Sequence, residues 1–140
     1  MATTAEITLT SDIMPNFGSY TKTMTLTKAG TTTDITETTG FSRRKLASTS
    51  AVDLVTMANE LVEPDDNTAG KIYIKNTGYQ GTIDKSTYVT VTINAQEIGR
   101  LYGGDWLMMP VTVVDAEDIV VTPSTDDAVV LEYAMFYEEA

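Results

Sequence analysis

The chain has 140 residues, the usual length of one domain, and its 9 Lys and Arg against 20 Asp and Glu give a net charge of −11. Such a charge repels polyphosphate and anionic lipid, so we expect no nucleic-acid partner and no membrane partner. The absence of Cys and His excludes disulfides, thiolate chemistry and the His-dependent hydrolase and zinc mechanisms. These exclusions favour a non-enzymatic protein without a cofactor.

Two stretches near the N-terminus, residues 6–10 and 21–27, alternate apolar side chains with threonine. A period of two over five to seven residues predicts β-strands with one apolar face. The apolar residues of these stretches are Ile7, Leu9, Met24 and Leu26. We therefore expect residues 1–40 to form a Thr-rich N-terminal β segment or an extended arm, and residues 41–140 to form a β-sandwich domain.

The next stretch contains the one basic cluster of the sequence, Arg43, Arg44 and Lys45. These residues are either solvated side chains or a docking patch for an acidic partner or for the acidic tail of a neighbouring copy, because Arg binds carboxylates with two parallel hydrogen bonds. Residues 51–57 alternate in part, which favours a strand, but a short helix over residues 52–61 fits as well. A loop is predicted over residues 64–70.

The second half of the chain shows clearer strand patterns. Strands are predicted at residues 71–75, 87–93 and 97–102, and turns at residues 76–78, 94–96 and 103–105. Residues 106–114 form a continuous apolar run, which indicates burial on both faces or against a neighbouring chain. Pro110 predicts a bulge, a strand end or a sheet edge within this run.

Strands are also predicted at residues 118–122 and 128–138. The last of these is apolar on both faces, so we expect it to be central in its sheet or covered by another chain. Eight to ten strands with turn signals roughly every 8–12 residues predict an all-β fold, an antiparallel β-sandwich or a jelly roll with an extended N-terminal segment.

Two groups of side chains are candidates for binding. Carboxylates close in sequence could hold Ca²⁺, although a solvated acidic rim is the favoured interpretation. This group is Asp115, Glu117, Asp118, Asp126 and Asp127. The second group centres on Trp106, for which a core position is favoured and a carbohydrate platform or a subunit anchor is the alternative.

Three pieces of the sequence together resemble small virion structural proteins of tailed bacteriophages, particularly those of marine and cyanobacterial hosts. They are a strand reading Y-I-K-N within residues 71–78, an L-Y-G-G-D-W hairpin at residues 101–106, and an apolar C-terminal strand at residues 129–137. The resemblance covers roughly residues 48–138. This sequence departs from the family pattern at Tyr102-Gly103, where Pro-Gly is commoner, and in its Thr-rich leader.

The resemblance implies a non-enzymatic particle protein made in the host cytoplasm. Because an acidic protein inside a DNA-filled shell would face the packaged polyanion, we expect it on the outer capsid surface or on the tail. The leading hypothesis is a capsid decoration (cement) protein, a homo-oligomer bound to the major capsid protein or to another virion structural protein. The alternatives are a tail, baseplate or fibre module and a carbohydrate-binding receptor-recognition domain. The residues expected at the interface are Ile7, Leu9, Met24, Leu26, Arg43, Arg44, Lys45 and Trp106.

Overall fold

The structure is a computed structural model, and it describes residues 4–11, 13, 19–26, 35, 37–57, 61, 68–79, 86–114 and 118–138. Eleven strands lie within these residues. They are β1 (Thr4–Thr10), β2 (Ser19–Thr25), β3 (Glu37–Thr38), β4 (Ser42–Leu46), β5 (Val52–Val55), β6 (Ala69–Tyr79), β7 (Tyr88–Ile93), β8 (Gln96–Tyr102), β9 (Trp106–Thr112), β10 (Ile119–Pro123) and β11 (Val129–Tyr137). All of their pairings are antiparallel, which confirms the predicted all-β class. A jelly-roll topology stays a prediction.

The body of the molecule consists of two sheets. The four-stranded sheet has the order β5-β10-β7-β8. The five-stranded sheet has the order β3-β11-β6-β9, and β4 pairs with the same edge of β11 as β3 does. A separate two-stranded sheet is formed by β1 and β2, and we call it the N-terminal hairpin.

Alternating apolar side chains of the two larger sheets form one buried core. Val89 and Val91 of β7 and Ile72 and Ile74 of β6 have no exposed surface, and all four belong to the same cluster of buried residues. The residues that alternate with these buried ones along each strand point to the outer faces of the sheets, because successive side chains of a strand alternate. The hydrophobic effect on this shared core holds the two sheets together.

The structure resolves two points that the sequence left open. The strand alternative is right for Val52–Val55, and the helical alternative is wrong there. Residues 58–60, which the helical alternative also covered, lie outside the described residues, as do residues 64–67 of the predicted loop. Strand β11 is central in its sheet, between β6 on one side and β3 and β4 on the other, which explains its two apolar faces.

The turn predicted at residues 76–78 is wrong, because β6 continues to Tyr79 through an irregular register against β11. Gly78 has a φ of 87°, a left-handed conformation in which glycine has no steric penalty. The strand therefore bulges here and does not reverse. By contrast, the turns predicted at residues 94–96 and 103–105 are confirmed, with reversals at residues 94–95 and 103–104.

The segment that follows the N-terminal hairpin is hydrogen-bonded to β11 where it enters the body. The Thr38 hydroxyl donates to the Met135 carbonyl over 2.9 Å, and the Met135 N–H donates to the Thr39 hydroxyl over 3.0 Å. These side chains satisfy backbone groups of β11 beside the two-residue strand β3. They fix the point at which the chain leaves the leader and joins the sandwich.

Candidate interaction surfaces

The N-terminal hairpin has one apolar face and one polar face. The register sets Leu9 opposite Tyr20, Ile7 opposite Lys22 and Ala5 opposite Met24, and directly opposite residues share a face. Leu9 is 53% exposed and Tyr20 is 47% exposed, whereas Ile7 and Met24 are half-buried. In the part of the chain that the structure describes, the apolar face is therefore about half exposed at the end of the hairpin far from its root.

The other face of the hairpin is almost entirely hydroxyl-bearing. Its directly opposite pairs include Thr8 with Thr21, whose hydroxyl oxygens lie 3.0 Å apart. Side chains of this kind suit a β-strand surface in contact with water. A two-stranded hairpin in water is at best marginally stable without a third strand or another surface on its apolar face. The hairpin thus has one face that gains stability when it is covered and one face that suits contact with water.

The root of the hairpin lies over the outer face of the five-stranded sheet. Leu26, directly after β2, is only 4% exposed, so this expected interface residue is buried within the chain. A cleft of about 390 Å³ lies between the root and the sheet. Its lining is Thr4, Ala5, Glu6, Ile7, Leu26, Phe41, Tyr73, Lys75, Trp106, Met108 and Phe136.

An aromatic row crosses the floor of this cleft. The ring of Tyr73 lies 5.7 Å from that of Phe41, edge to face, and 6.5 Å from that of Trp106, measured between centroids. Phe41 is 71% exposed and Trp106 is 47% exposed. Exposed rings in contact with each other form a contiguous apolar patch, a feature that marks binding sites on soluble proteins.

A second row, of mainly charged residues, crosses the same face two residues further along β6, at Lys75, and meets the aromatic row at Trp106. The register aligns Arg43, Glu132, Lys75 and Trp106 across β4, β11, β6 and β9. Arg43 donates to Glu132 through Nε over 3.1 Å and Nη2 over 3.0 Å. The other Glu132 oxygen accepts from the Tyr73 hydroxyl over 3.3 Å. Glu132 therefore joins the two rows.

The Tyr73 hydroxyl has an altered acidity because of this position. Burial raises the pKa of Tyr73 first of all, since it disfavours the phenolate, and the negative charge and hydrogen bond of Glu132 raise it further. The phenol therefore stays protonated to a higher pH than an ordinary tyrosine and keeps donating to Glu132. This hydrogen bond is structural, and it holds the aromatic row in place.

The basic cluster is divided by strand alternation. Arg43 and Lys45 point to the outer face of the five-stranded sheet, whereas Arg44 lies on the other face of β4. Arg44 donates to the Asp53 carbonyl of β5, so it connects the five-stranded sheet to the four-stranded one. A docking role for this cluster stays a prediction. Of its three residues, only Arg43 and Lys45 lie on the outer face, where a partner could contact them.

The core position favoured for Trp106 is wrong. Trp106 lies at the start of the sheet-edge strand β9, opposite Lys75, and its ring is nearly half exposed. Among the described strands β9 pairs only with β6, so Pro110 sits on an edge strand, as one of its three predicted positions required. The interface and carbohydrate interpretations of Trp106 both stay predictions.

Two of the acidic candidates have structural hydrogen bonds. The Asp118 carboxylate accepts from the Met57 N–H, and the Asp126 carboxylate accepts from the Thr49 N–H, each over 3.2 Å. Asp115 and Glu117 lie outside the described residues. Within the described ranges, no group of three or more metal-ligating side chains is placed to hold an ion.

Asn76 is an important residue that sequence reasoning missed. It is 1% exposed, its Nδ2 donates to the Leu101 carbonyl over 2.9 Å, and its Oδ1 accepts from the Gly78 N–H over 2.9 Å. Its backbone also pairs with Gly104 and Asp105. Asn76 therefore ties the Y-I-K-N strand to the L-Y-G-G-D-W hairpin. A buried polar residue inside an alternating strand was the available signal.

Comparisons with known proteins give no family. A scan of protein-family models matched none, and a search of curated proteins found no relative. In the part of the chain that the structure describes, no helix is long and apolar enough to cross a membrane. The resemblance to phage structural proteins and the function it implies therefore stay predictions.

Proposed function

We propose that this chain is a non-enzymatic structural protein of a tailed-bacteriophage virion that binds the outer capsid surface as a decoration protein. The observation that carries the proposal is the N-terminal hairpin, whose apolar face is half-buried at Ile7 and Met24 and 53% exposed at Leu9. Such a face gains free energy when another polypeptide covers it, because apolar area leaves water.

The proposed contact uses both the side chains and the backbone of the hairpin. β1 and β2 pair with each other, and no further described strand pairs with either of them. An edge of this hairpin can therefore add to an exposed sheet edge of a partner, with main-chain hydrogen bonds for affinity and pockets for alternate side chains. Ile7, Leu9 and Met24 are the side chains for such pockets, and Leu26 anchors the hairpin to its own sandwich.

The charge of the chain supports a position outside the shell. With a net charge of −11, the protein would be repelled by packaged DNA, which favours a position outside the shell. A protein that binds the assembled shell better than its free subunits stabilises the shell by mass action. No chemical step is required of any side chain, which agrees with a sequence that has neither Cys nor His.

The experiment that tests this proposal measures where the chain occurs and what holds it there. In virions that carry this sequence, quantitative mass spectrometry is expected to give a copy number comparable with that of the major shell protein. A copy number equal to a small multiple of the tail symmetry would contradict the capsid position.

Rebinding of recombinant protein to stripped particles then tests the hairpin. We expect Leu9→Asp to weaken rebinding roughly tenfold or more, since buried apolar anchors dominate protein interfaces. Thr10→Asp is the matched control, because it places the same charge at the neighbouring exposed position on the hydroxyl face. Equal losses of rebinding for the two variants would show that the apolar face of the hairpin does not make the contact.

A further inference from the structure

The outer face of the five-stranded sheet has a charge opposite to that of the protein. Four of the 9 Lys and Arg residues in the chain share this face. They are Arg43, Lys45, Lys71 and Lys75. Strand residues of this face contribute one carboxylate, that of Glu132, and Arg43 neutralises it. The face is thus a basic surface on an acidic protein.

The lysines of this face are available to a partner. Lys45 is exposed, Lys71 and Lys75 are half-buried, and none of the three forms an ion pair with a residue that the structure describes. Lys75 also lines the cleft beside Trp106. Cations next to an open aromatic row provide contacts for both a carboxylate and an apolar side chain.

The lining of the cleft favours a polypeptide over a sugar. Of its residues only Thr4, Glu6 and Lys75 are polar, and the others are aromatic or aliphatic. A carbohydrate site needs several polar groups to pair with hydroxyls, since unpaired buried hydroxyls are costly. An apolar lining with Trp, Tyr, Phe and Met has the composition of a protein-interface core.

We infer that this basic aromatic face, the outer face of the five-stranded sheet from Arg43 to Trp106, binds an acidic polypeptide segment of a partner protein. Apolar side chains of that segment fill the cleft over Phe41, Tyr73 and Trp106, and its carboxylates pair with Lys71 and Lys75. The binding is strengthened by charge complementarity, which also sets the register of the two chains. This inference goes beyond the proposed function, because the binding face belongs to the sandwich and the hairpin supplies only the other wall of the cleft, at its root. It holds whether or not the hairpin binds a capsid.

The test uses Trp106 as its own reporter, because it is the sole Trp of the chain. The probe is a random copolymer of glutamate and tyrosine, added to the full-length protein with excitation beyond the absorption of tyrosine. We expect a blue shift of the Trp106 emission that saturates with the copolymer and weakens with added salt. Polyglutamate alone is expected to bind more weakly, because it cannot fill the cleft.

Two charge reversals locate the binding. Lys75→Glu is expected to weaken binding of the copolymer about tenfold, the effect of replacing a partly exposed attraction by a repulsion. Arg100→Glu is the matched control, since Arg100 is an exposed cation on the outer face of the four-stranded sheet. Phe41→Ala is a second test variant and is also expected to weaken binding. Because the Phe41 ring is exposed, its removal should leave the fold intact, so a loss of binding would reflect the cleft itself.

Three outcomes would overturn the inference. The first is the absence of a saturable shift, and the second is equal weakening by Lys75→Glu and Arg100→Glu. The third is tighter binding of alginate, an anionic polysaccharide, than of the copolymer, which would assign the face to a glycan. Each of these outcomes leaves the particle-rebinding test of the hairpin unaffected, so the two proposals fail separately.

Discussion

The N-terminal hairpin and strand β7 of the β7–β8 hairpin share an alternating pattern, with mainly apolar side chains on one face and threonines on the other. In β7–β8 the apolar face meets the five-stranded sheet, and Leu101 is 7% exposed. In β1–β2 no described strand lies across the apolar face at Leu9, which is 53% exposed. The difference shows that alternation identifies an apolar face without identifying what covers it.

A second difference between the hairpins is the polar tie to the rest of the body. The β7–β8 hairpin receives the hydrogen bond from buried Asn76 to the Leu101 carbonyl. At the N-terminal hairpin, the hydrogen bond between opposite side chains that the structure shows joins Thr8 and Thr21, two residues of the hairpin itself. Among the described residues, one hairpin is thus packed into the folded body, and the other meets the body at its root.

The largest expected effect comes from one substitution made in both hairpins. Leu101→Ala is expected to lower the free energy of unfolding by about 3 kcal/mol, because it leaves a cavity in the core. Leu9→Ala is expected to change it by less than about 0.5 kcal/mol in the free chain, since the side chain is already half in water. Urea denaturation measures both losses. Similar losses would contradict the view that the two leucines differ in burial.

The tie through Asn76 gives the next effect. Asn76→Ala is expected to lower the free energy of unfolding by about 2 kcal/mol, because the Leu101 carbonyl and the Gly78 N–H lose their partner in a buried site. Thr77→Ala is the control: it removes one hydrogen bond, to the Val130 carbonyl, in a half-buried site. If denaturation gives equal losses, the burial of Asn76 is not what makes it important.

The turn of the β7–β8 hairpin offers a stabilising change. Asn94 and Ala95 have φ values of 49° and 59°, in the left-handed region. Glycine and asparagine adopt this conformation readily, whereas alanine is strained in it. Ala95→Gly is therefore expected to raise the thermal midpoint, with a gain of about 0.5 to 1 kcal/mol. A lowered midpoint would show that the turn does not carry this strain.

The smallest expected effect is on the stability of the fold at alkaline pH, through Tyr73 of the basic aromatic face. Because the pKa of Tyr73 is raised, its neutral form stabilises the fold at pH values below the pKa of an unfolded tyrosine, about 10. That stabilisation is lost as the pH rises through the raised pKa of the folded state. Phenolate absorbance is expected to show a late-titrating component that Tyr73→Phe removes.

Glu132→Gln separates the two causes of this shift. It is expected to lower the pKa of Tyr73 without returning it to the ordinary value, since burial is the larger cause. A complete return would assign the shift to the carboxylate alone. The result would also show how firmly Glu132 joins the charged row to the aromatic row.

The sequence predicted the all-β class and most strands because alternation at period two is a local signal. The strands carrying Ile7, Leu9 and Met24 were predictable for this reason, and so was the shared face of Ile7 and Leu9. The position of Trp106 was not predictable, because a run that is apolar on both faces does not reveal whether its strand is central or at an edge. The role of Asn76 depends on a contact with Leu101, 25 positions away in the chain.

Amide hydrogen exchange tests the central claim most directly, namely that the apolar face of the N-terminal hairpin is completed by another polypeptide. In the dilute, monomeric chain we expect the amides of β1 and β2 to exchange much faster than those of β7 and β8, which open only with the core. On particles carrying the bound protein, β1 and β2 are expected to become as protected as β7 and β8. Equal protection of the two hairpins in the monomer would contradict the claim, because the hairpin would then need no partner.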